Sequence, residues 1–237
     1  MELSTKLFDA YSRISTATIT TVLLKHGIRN AYMRGPKFLC GSHEKIVGEA
    51  FTLRFVPARE DLATPESWSN PVSTRSAIEA MPAGVVVVAD AMGVTDAGIL
   101  GDILCQRMRV KDVAGLVTDG VMRDAVGVLG TGLPVWCQGV AARPSVAGLT
   151  FVGWQEPIAC GGVAIFPGDL IVADGDGVVV VPQALIEATA VAGLEQELFE
   201  SWVHKEVVRG VPLPGLYPPD DETRARFQAW RDGGDEG

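Results

Sequence analysis

Apolar positions recur at helical spacing from Leu3 to about Lys25, through Leu7, Ala10, Tyr11, Ile14, Ile19, Val22 and Leu23; this predicts helix at the start of the chain. Ser15 and Thr16 interrupt the stripe and can cap a second helix, which Gly27 would end. From Ile46 to Val56 the pattern shifts toward strand character. The polar stretch Arg59 to Thr74, with Pro65, Trp68, Asn70 and Pro71, has no period and reads as a long surface loop, a candidate lid. Gly84 to Asp90 is a short buried strand, and a Gly-rich turn leads to Asp102. Ile103, Leu104 and Met108 follow on one helical stripe, with Arg107, Arg109 and Lys111 in the last turns, where cations complement the helix dipole. Val113 to Val117 is a second buried strand, ending at Thr118-Asp119-Gly120. Strand, helix, strand makes a βαβ unit with a parallel pair.

Leu133 to Cys137 and Gly162 to Phe166 read as further strands. Leu170 to Ala173 and Val178 to Val181 flank Asp174-Gly175-Asp176-Gly177, a hairpin signal. Pro182 suits the first turn of a helix running to about Arg209. After a Pro-rich stretch, Asp221 to Arg231 reads as a short amphipathic helix. The pattern therefore predicts an α/β domain with many short strands over residues 1–210, and a C-terminal extension over 211–237 carrying that helix.

Composition narrows the function more than the fold. The 237 residues carry a formal charge of −9, with 47% apolar and 21% charged residues, which suits a globular chain rather than a disordered one. An acidic balance without a Lys/Arg block argues against nucleic acid as the partner. No apolar stretch reaches the roughly 18 residues of a membrane span, and the first six residues lack the apolar core of a signal peptide. Cys40, Cys105, Cys137 and Cys160 are far apart without metal or disulfide spacing. A reducing cytoplasm is the expected compartment.

Several motifs fail on inspection. Asp174-Gly-Asp176-Gly lacks the later ligands of a calcium loop, since Val178 and Leu185 stand where oxygen donors belong. Gly127, Gly130 and Gly132 have the wrong spacing for a dinucleotide loop. His26, His43 and His204 are scattered, and no lysine lies inside an apolar strand run that would activate it as a Schiff base. One constellation survives. Asp102 opens a helix directly after Gly101, and Arg123-Asp124 follows the turn after the next strand. In a βαβ unit both points lie at the edge formed by strand C-termini, where ligands collect. The first-turn N–H groups of Ile103 and Leu104 can hold a carboxylate, Arg123 offers a planar fork, and Asp102 and Asp124 are hard donors suited to Mg²⁺ or Mn²⁺. Taken singly, an Asp before a helix is commonly an N-cap, and an Arg-Asp pair on a turn is commonly solvated.

The stretch GDILCQRMRVKDVAGLVTDGVMRD, with twenty residues between Asp102 and Arg123, resembles the RraA-like family. Ser15-Thr16-Ala17-Thr18, Gly48-Glu49-Ala50-Phe51-Thr52, Leu133-Pro134-Val135 and PGDLIVADGDGVVVVP (Pro167 to Pro182) support it in order. The enzymatic branch of that family comprises class II, metal-dependent pyruvate aldolases that cleave 4-hydroxy-4-methyl-2-oxoglutarate. The resemblance implies a swivelling-type β/β/α sandwich, a homotrimer or hexamer, and sites between subunits. It also implies a divalent-metal lyase that cleaves 4-hydroxy-2-oxo acids to pyruvate and an oxo compound, with oxaloacetate decarboxylation as a side activity.

Carried over by position, Asp124 binds Mg²⁺ or Mn²⁺ directly and Asp102 holds it through water. Arg123 binds the pyruvyl oxygens, and the Gly101 to Leu104 turn, through the Ile103 and Leu104 amides, binds the carboxylate. A glutamate on the late helix of a neighbouring subunit faces the metal in that branch; Glu197 is the choice here, with Glu195 and Glu200 as rivals, and all three also fit a solvated helix face. The chain departs from many relatives at Thr20-Thr21-Val22-Leu23, in a longer Arg59 to Asn70 segment that leaves room for a longer, hydroxylated substrate, and in the tail after Gly210. The alternative implied by the family is a non-catalytic trimeric regulator of ribonuclease activity. Regulators of that kind lack the Asp of the Arg-Asp pair, which Asp124 retains.

Overall fold

The computed structural model describes residues 4–42 and 45–233. His43 lies outside them. Strand β1 (Lys37–Cys40) and the long β2 (Ile46–Pro57) precede β3 (Val86–Asp90), β4 (Gly115–Thr118), β5 (Val135–Cys137), β6 (Leu149–Trp154), β7 (Ile158–Cys160), β8 (Val163–Ile165), β9 (Leu170–Asp174) and β10 (Gly177–Val181). The helices are α1 (Thr5–Arg13), α2 (Thr16–Lys25), α3 (Thr74–Ala80), α4 (Asp102–Val110), α5 (Ala125–Thr131), α6 (Ile186–Val208) and α7 (Asp221–Asp232).

The main sheet has the order β1-β5-β4-β3-β2-β9-β10, with β6 also paired to β2. Its centre, β2-β3-β4-β5, is parallel, while β1, β6, β9 and β10 join antiparallel. The sheet curls enough for β1 to approach β10, and the ribbon β7-β8 lies across β3. Its valine-rich strands are buried on both faces, which is why they read as continuous apolar runs. The pleat divides them: Val87 and Ala89 of β3 join a core under α3, α4 and α5 with Ile78, Met108 and Val128. Val86 and Val88 point the other way, into the curl of the sheet with Trp136, Ile171 and Val178. On β10, Val179 and Val181 pack beneath α1, α2 and α6 with Tyr11, Ile14 and Leu23. The curled sheet with helices packed on it is the mixed α/β domain that was expected.

Local signals account for most boundaries. Ser15 caps α2, its hydroxyl accepting from the Thr18 N–H at 3.1 Å, and Gly27 follows the helix at φ +83°. Pro182 leads into a 3₁₀ turn over Gln183–Leu185 and then α6. Strands β1 and β7 were not expected, and neither were three further elements. Helix α3 starts at Ser73, whose hydroxyl accepts from the Ser76 N–H at 3.3 Å, inside the end of the segment read as loop. Helix α5 contains Gly127 and Gly130, poor helix formers, and is held by packing of Val128 on α4. Strand β6 pairs with the far end of β2 across a register shift. The remainder of the segment read as loop, Arg59 to Asn70, contains only one 3₁₀ turn, Pro65–Ser69.

The C-terminal extension folds back on the chain. Phe227 and Trp230 of α7 and Leu216 pack on Phe199, Trp202 and Val203 of α6, with the Phe199 and Phe227 rings edge-on at 5.2 Å. All four cysteines are buried and free. Among the described residues, no helix is long and apolar enough to cross a membrane.

A close approach of backbone to backbone lies where β2 passes the start of β3. A Cβ on Gly48 would stand 2.5 Å from the Gly84 carbonyl oxygen, and backbone on both sides cannot retreat independently. Gly48→Ala should therefore destabilise the fold by about 1–3 kcal/mol, the usual cost of overpacking. Urea denaturation of parent and variant measures it, and equal midpoints would contradict the close approach.

Candidate active site

The backbone beyond β3 and β4 builds the site. After β3 the chain turns so that Gly98 bridges Val121 in parallel, the Ile99 N–H donates to the Val121 carbonyl at 2.9 Å, and the Arg123 N–H donates to the Leu100 carbonyl at 3.0 Å. A third segment lies alongside, the Gly98 N–H donating to the Arg143 carbonyl at 2.9 Å. These rungs extend the parallel pairing past the regular strands. They bring the start of α4 beside the turn that carries Arg123 and Asp124.

Glycines let the charged side chains fit. A Cβ on Gly98 would lie 2.7 Å from Arg123 Cβ, one on Gly101 would lie 2.4 Å from Asp124 Oδ2, and one on Gly127 would lie 2.4 Å from Asp102 Oδ2. Asp124 itself adopts the left-handed region, φ 52° and ψ 47°, at the head of α5, a conformation uncommon outside glycine and enriched at special positions. Gly98, Gly101 and Gly127 thus clear the space that two carboxylates and an arginine occupy. Gly101 was expected at the site; Gly98 and Gly127 were not, because nothing in the sequence distinguishes a clearance glycine from a turn glycine.

The result is a cleft of about 270 Å³ lined by Gly98 to Leu104, Arg123 and Asp124 on one side. Arg123 donates through Nε to Asp124 Oδ2 at 3.1 Å, which leaves both terminal nitrogens of its fork free to meet a ligand. Asp124 is about half exposed, its side chain at 45%. Asp102 accepts from the Ile103 N–H through Oδ1 at 2.7 Å; so one of the two amides expected to receive a carboxylate already has a partner. Leu104 contributes a first-turn N–H with no acceptor inside the helix. The cleft therefore gathers Gly101, Asp102, Ile103, Leu104, Arg123 and Asp124, as the βαβ argument anticipated. Its other wall is formed by Trp68 and Thr74, from the segment read as a candidate lid, and by Arg75, Pro144 and Ser145, which were missed because they lie outside both that segment and the βαβ unit. Arg75 stacks over the Trp68 ring at 5.2 Å.

The donor set suits one kind of metal. Among the described residues no group of three or more His, Cys, Asp and Glu side chains is placed to hold an ion, so a closed zinc-type cage is not on offer. Two carboxylates at an open cleft match Mg²⁺ or Mn²⁺, which keep several waters and take one or two protein oxygens.

The late-helix glutamates stand apart from this cleft. Glu197 accepts from the Ser15 N–H at 2.8 Å within its own chain. Next to it, Asp174 accepts from the N–H and hydroxyl of Thr16 at 2.8 and 2.6 Å, and Lys45 Nζ donates to the Ile14 carbonyl at 2.6 Å. These contacts pin the junction of α1 and α2 to α6 and to the β9–β10 hairpin. Glu195 pairs with Arg231 at 2.9 Å, and Glu200 accepts from Gln196 and Tyr217.

Residues 5–180 of this chain match a family model, RraA-like: Aldolase/RraA. The chain belongs to the RraA-like family. It is 35% identical over 142 residues to a protein of Halalkalibacterium halodurans provisionally named 4-hydroxy-4-methyl-2-oxoglutarate aldolase, covering 60% of this chain and 61% of that one. A protein of Ectopseudomonas mendocina with the same provisional name is 34% identical over 103 residues, covering 43% and 62%. The chain thus spans about three fifths of the length of these two relatives. Among solved structures, Streptomyces coelicolor RraAS2, described as an unusual member of the RNase ES inhibitor RraA protein family, superimposes with a TM-score of 0.77 at 36% identity, over 86% of this chain and 98% of that one. An uncharacterised protein from Pseudomonas syringae also reaches 0.77, at 25% identity over 92% and 99%. The swivelling-type sandwich expected from the resemblance is the fold of these neighbours.

The Glu197 contacts give a pH signature. Burial opposes its charge, but the Ser15 N–H, the Thr18 and Ser15 hydroxyls and the charge of Lys45 together outweigh that and hold its carboxyl below the ordinary glutamate value. A depressed folded pKa stabilises the fold above the unfolded value near 4.3, and the contribution vanishes as pH falls through the lower folded value. Glu197→Gln should cost a few tenths to about 1 kcal/mol at neutral pH after solvent screening, and nothing at a pH below both values. Denaturation curves at the two pH values test this, and equal stability of parent and variant at pH 7 would contradict it.

Proposed function

We propose that this protein is a divalent-metal-dependent lyase that cleaves 4-hydroxy-2-oxo acids to pyruvate and an oxo compound. The observation that carries the reading is the convergence, in one cleft, of the α4 N-terminus, a half-free arginine fork and two carboxylates that glycines make room for. The aldolase names of two relatives support it. Asp124, with Asp102 beside it, would hold Mg²⁺ or Mn²⁺, which when bound supplies Lewis-acid polarisation of the 2-oxo group.

The chain's own groups do the rest. The first turn of α4 takes the substrate carboxylate, drawn by the helix dipole and by unpaired N–H groups. For Ile103 to contribute, Asp102 must release its N–H, so substrate binding frees an Asp102 oxygen at the reacting end. Arg123 directs its terminal nitrogens at the 2-oxo oxygen. In the cleavage step the 4-hydroxyl loses its proton and the C4–O bond becomes a carbonyl. The C3–C4 pair moves to C3, and negative charge spreads onto the 2-oxo oxygen as the enolate of pyruvate. Arg123 stabilises that growing charge. Asp102 holds the proton taken from the 4-hydroxyl side, and protonation at C3 releases pyruvate. Oxaloacetate, which loses carbon dioxide to the same enolate, is a second substrate for the same arrangement.

A second copy of the chain is part of this reading. Ile103 and Val126, both more than three-quarters exposed, and Leu129 crown α4 and α5 beside the cleft, an apolar patch of the kind that marks a contact surface. A homotrimer or hexamer would cover it and close the site. The structural likeness to RraAS2 favours one competing reading, a non-catalytic regulator of ribonuclease; metal-dependent pyruvate release separates the two.

Arg123 and Asp124 should fail differently. Arg123→Ala should lower kcat about 10²–10³-fold, the range for losing one preorganised oxyanion donor, with metal affinity unchanged. Arg123→Lys should rescue it incompletely, because an ammonium lacks the two-pronged geometry. Asp124→Ala should lose metal binding and activity together, with partial recovery at high metal. Metal titration beside steady-state kinetics distinguishes these patterns, and an Asp124→Ala variant that binds Mn²⁺ and turns over like the parent would refute the assignment.

A further inference from the structure

The cleft does not end at its outer wall. Trp68, Thr74 and Ser145 line it and also line a second hollow of about 460 Å³, which runs between the 62–73 segment and the outer end of β6. The two hollows therefore adjoin at Trp68, Thr74 and Ser145, which belong to both walls. Their walls differ in character. Arg75, Asp102, Arg123 and Asp124 line the inner part, whereas no charged side chain lines the outer part.

The outer walls are apolar where they face the space. Leu62 and Val72 are each half exposed, and Val152 is 42% exposed, although apolar side chains grouped at one hollow on a surface generally have something to cover them. The hydroxyls in the outer part are mostly spoken for by the chain itself. Ser67 donates to the Thr64 carbonyl at 2.6 Å, Ser73 caps α3, and Thr150 accepts from the Arg59 N–H at 3.0 Å. The remaining polar side chains on this wall are Asn70, Thr74 and Ser145. Arg75 holds Trp68: its guanidinium stacks on the indole, an arrangement that fixes the ring and keeps the cation on the polar side.

We propose that the outer trough binds an apolar tail, so that the substrate is a 4-hydroxy-2-oxo acid carrying an aliphatic or aryl substituent beyond C4. This rests on the lyase reading and deepens it. The anionic end lies with Arg123 and α4, the scissile C3–C4 bond lies near Trp68, and the tail passes the indole to lie along Val72, Leu62 and Val152. Leaving water for this trough provides the selectivity. The Arg59 to Asn70 segment, which supplies Leu62, Ser67, Trp68 and Asn70 to the outer wall, is then the specificity element of the enzyme.

Binding and cleavage test the two layers separately. Pyruvate, 2-oxobutanoate, 2-oxohexanoate and 2-oxooctanoate lack a 4-hydroxyl and cannot be cleaved by this route. Their dissociation constants for the intact protein with Mn²⁺, measured by calorimetry, should fall about fourfold per methylene that enters the trough. Val72→Glu and Trp68→Ala should flatten that gradient. Pyruvate release from 4-hydroxy-2-oxo acids of matching tail length is followed in parallel. Affinities that are flat across the series, or a gradient untouched by both substitutions, would overturn the tail site while short substrates still turning over would leave the lyase reading standing. A gradient abolished by Val72→Glu without pyruvate release from any substrate would uphold the tail site and sink the lyase. A Val72→Glu variant with altered mass by light scattering would show a second copy covering the trough, and would also overturn the proposal.

Discussion

Three backbone hydrogen bonds beyond the ends of β3 and β4 decide what this molecule can do. The rungs Ile99 to Val121, Arg123 to Leu100 and Gly98 to Arg143 continue a parallel ladder into what would otherwise be loop. Parallel strands require a crossover helix, and α4 is that helix; its N-terminus therefore emerges at the same edge as the turn after the following strand. Lock the two segments together and the positive end of a helix, an arginine and two aspartates share one cleft. Release them and the same residues become a capped helix and a solvated ion pair.

Close approach of this kind excludes side chains. The glycines at 98, 101 and 127 provide the clearance, and Gly127 does so at the expense of helix propensity in α5. That helix is short and held by one buried valine against α4, so the site and its support are coupled: α5 carries Asp124 at its head and leaves room for Asp102 at its flank. The strained backbone of Asp124 fits the same pattern, in which local rules are broken where function is placed.

How much of this the chain displays in its residue order follows from where each feature originates. The two-faced valine strands and the Asp174 to Gly177 hairpin are local patterns with strong physical signals, and so is the Ser15 cap; all were legible. The convergence of Asp102 with Arg123-Asp124 was legible too, because βαβ geometry fixes where helix starts and strand ends lie. Helix α5 was hidden by its glycines, whose purpose is tertiary. The wall formed by Trp68, Arg75 and Ser145 comes from segments distant in sequence, and no periodicity reports that they face the cleft. Glu197 illustrates the opposite case. Its position on a long helix left a neighbouring subunit or a solvated face as readings, and neither pointed to its own chain, where the structure ties one oxygen to the Ser15 N–H.

Charge lines the cleft beside α4 and no charged side chain lines the hollow on the other side of Trp68; in the proposed reading the charged cleft is the reacting end. Everything rests on the claim that the reacting end is where a metal and a 2-oxo acid meet. A crystal structure with Mn²⁺ and oxalate, a mimic of the pyruvate enolate, tests that claim most directly. The account predicts an anomalous manganese peak against Asp124, with the oxalate between Arg123 and the first turn of α4. A manganese peak elsewhere, or oxalate bound away from Arg123 and Leu104, would contradict it.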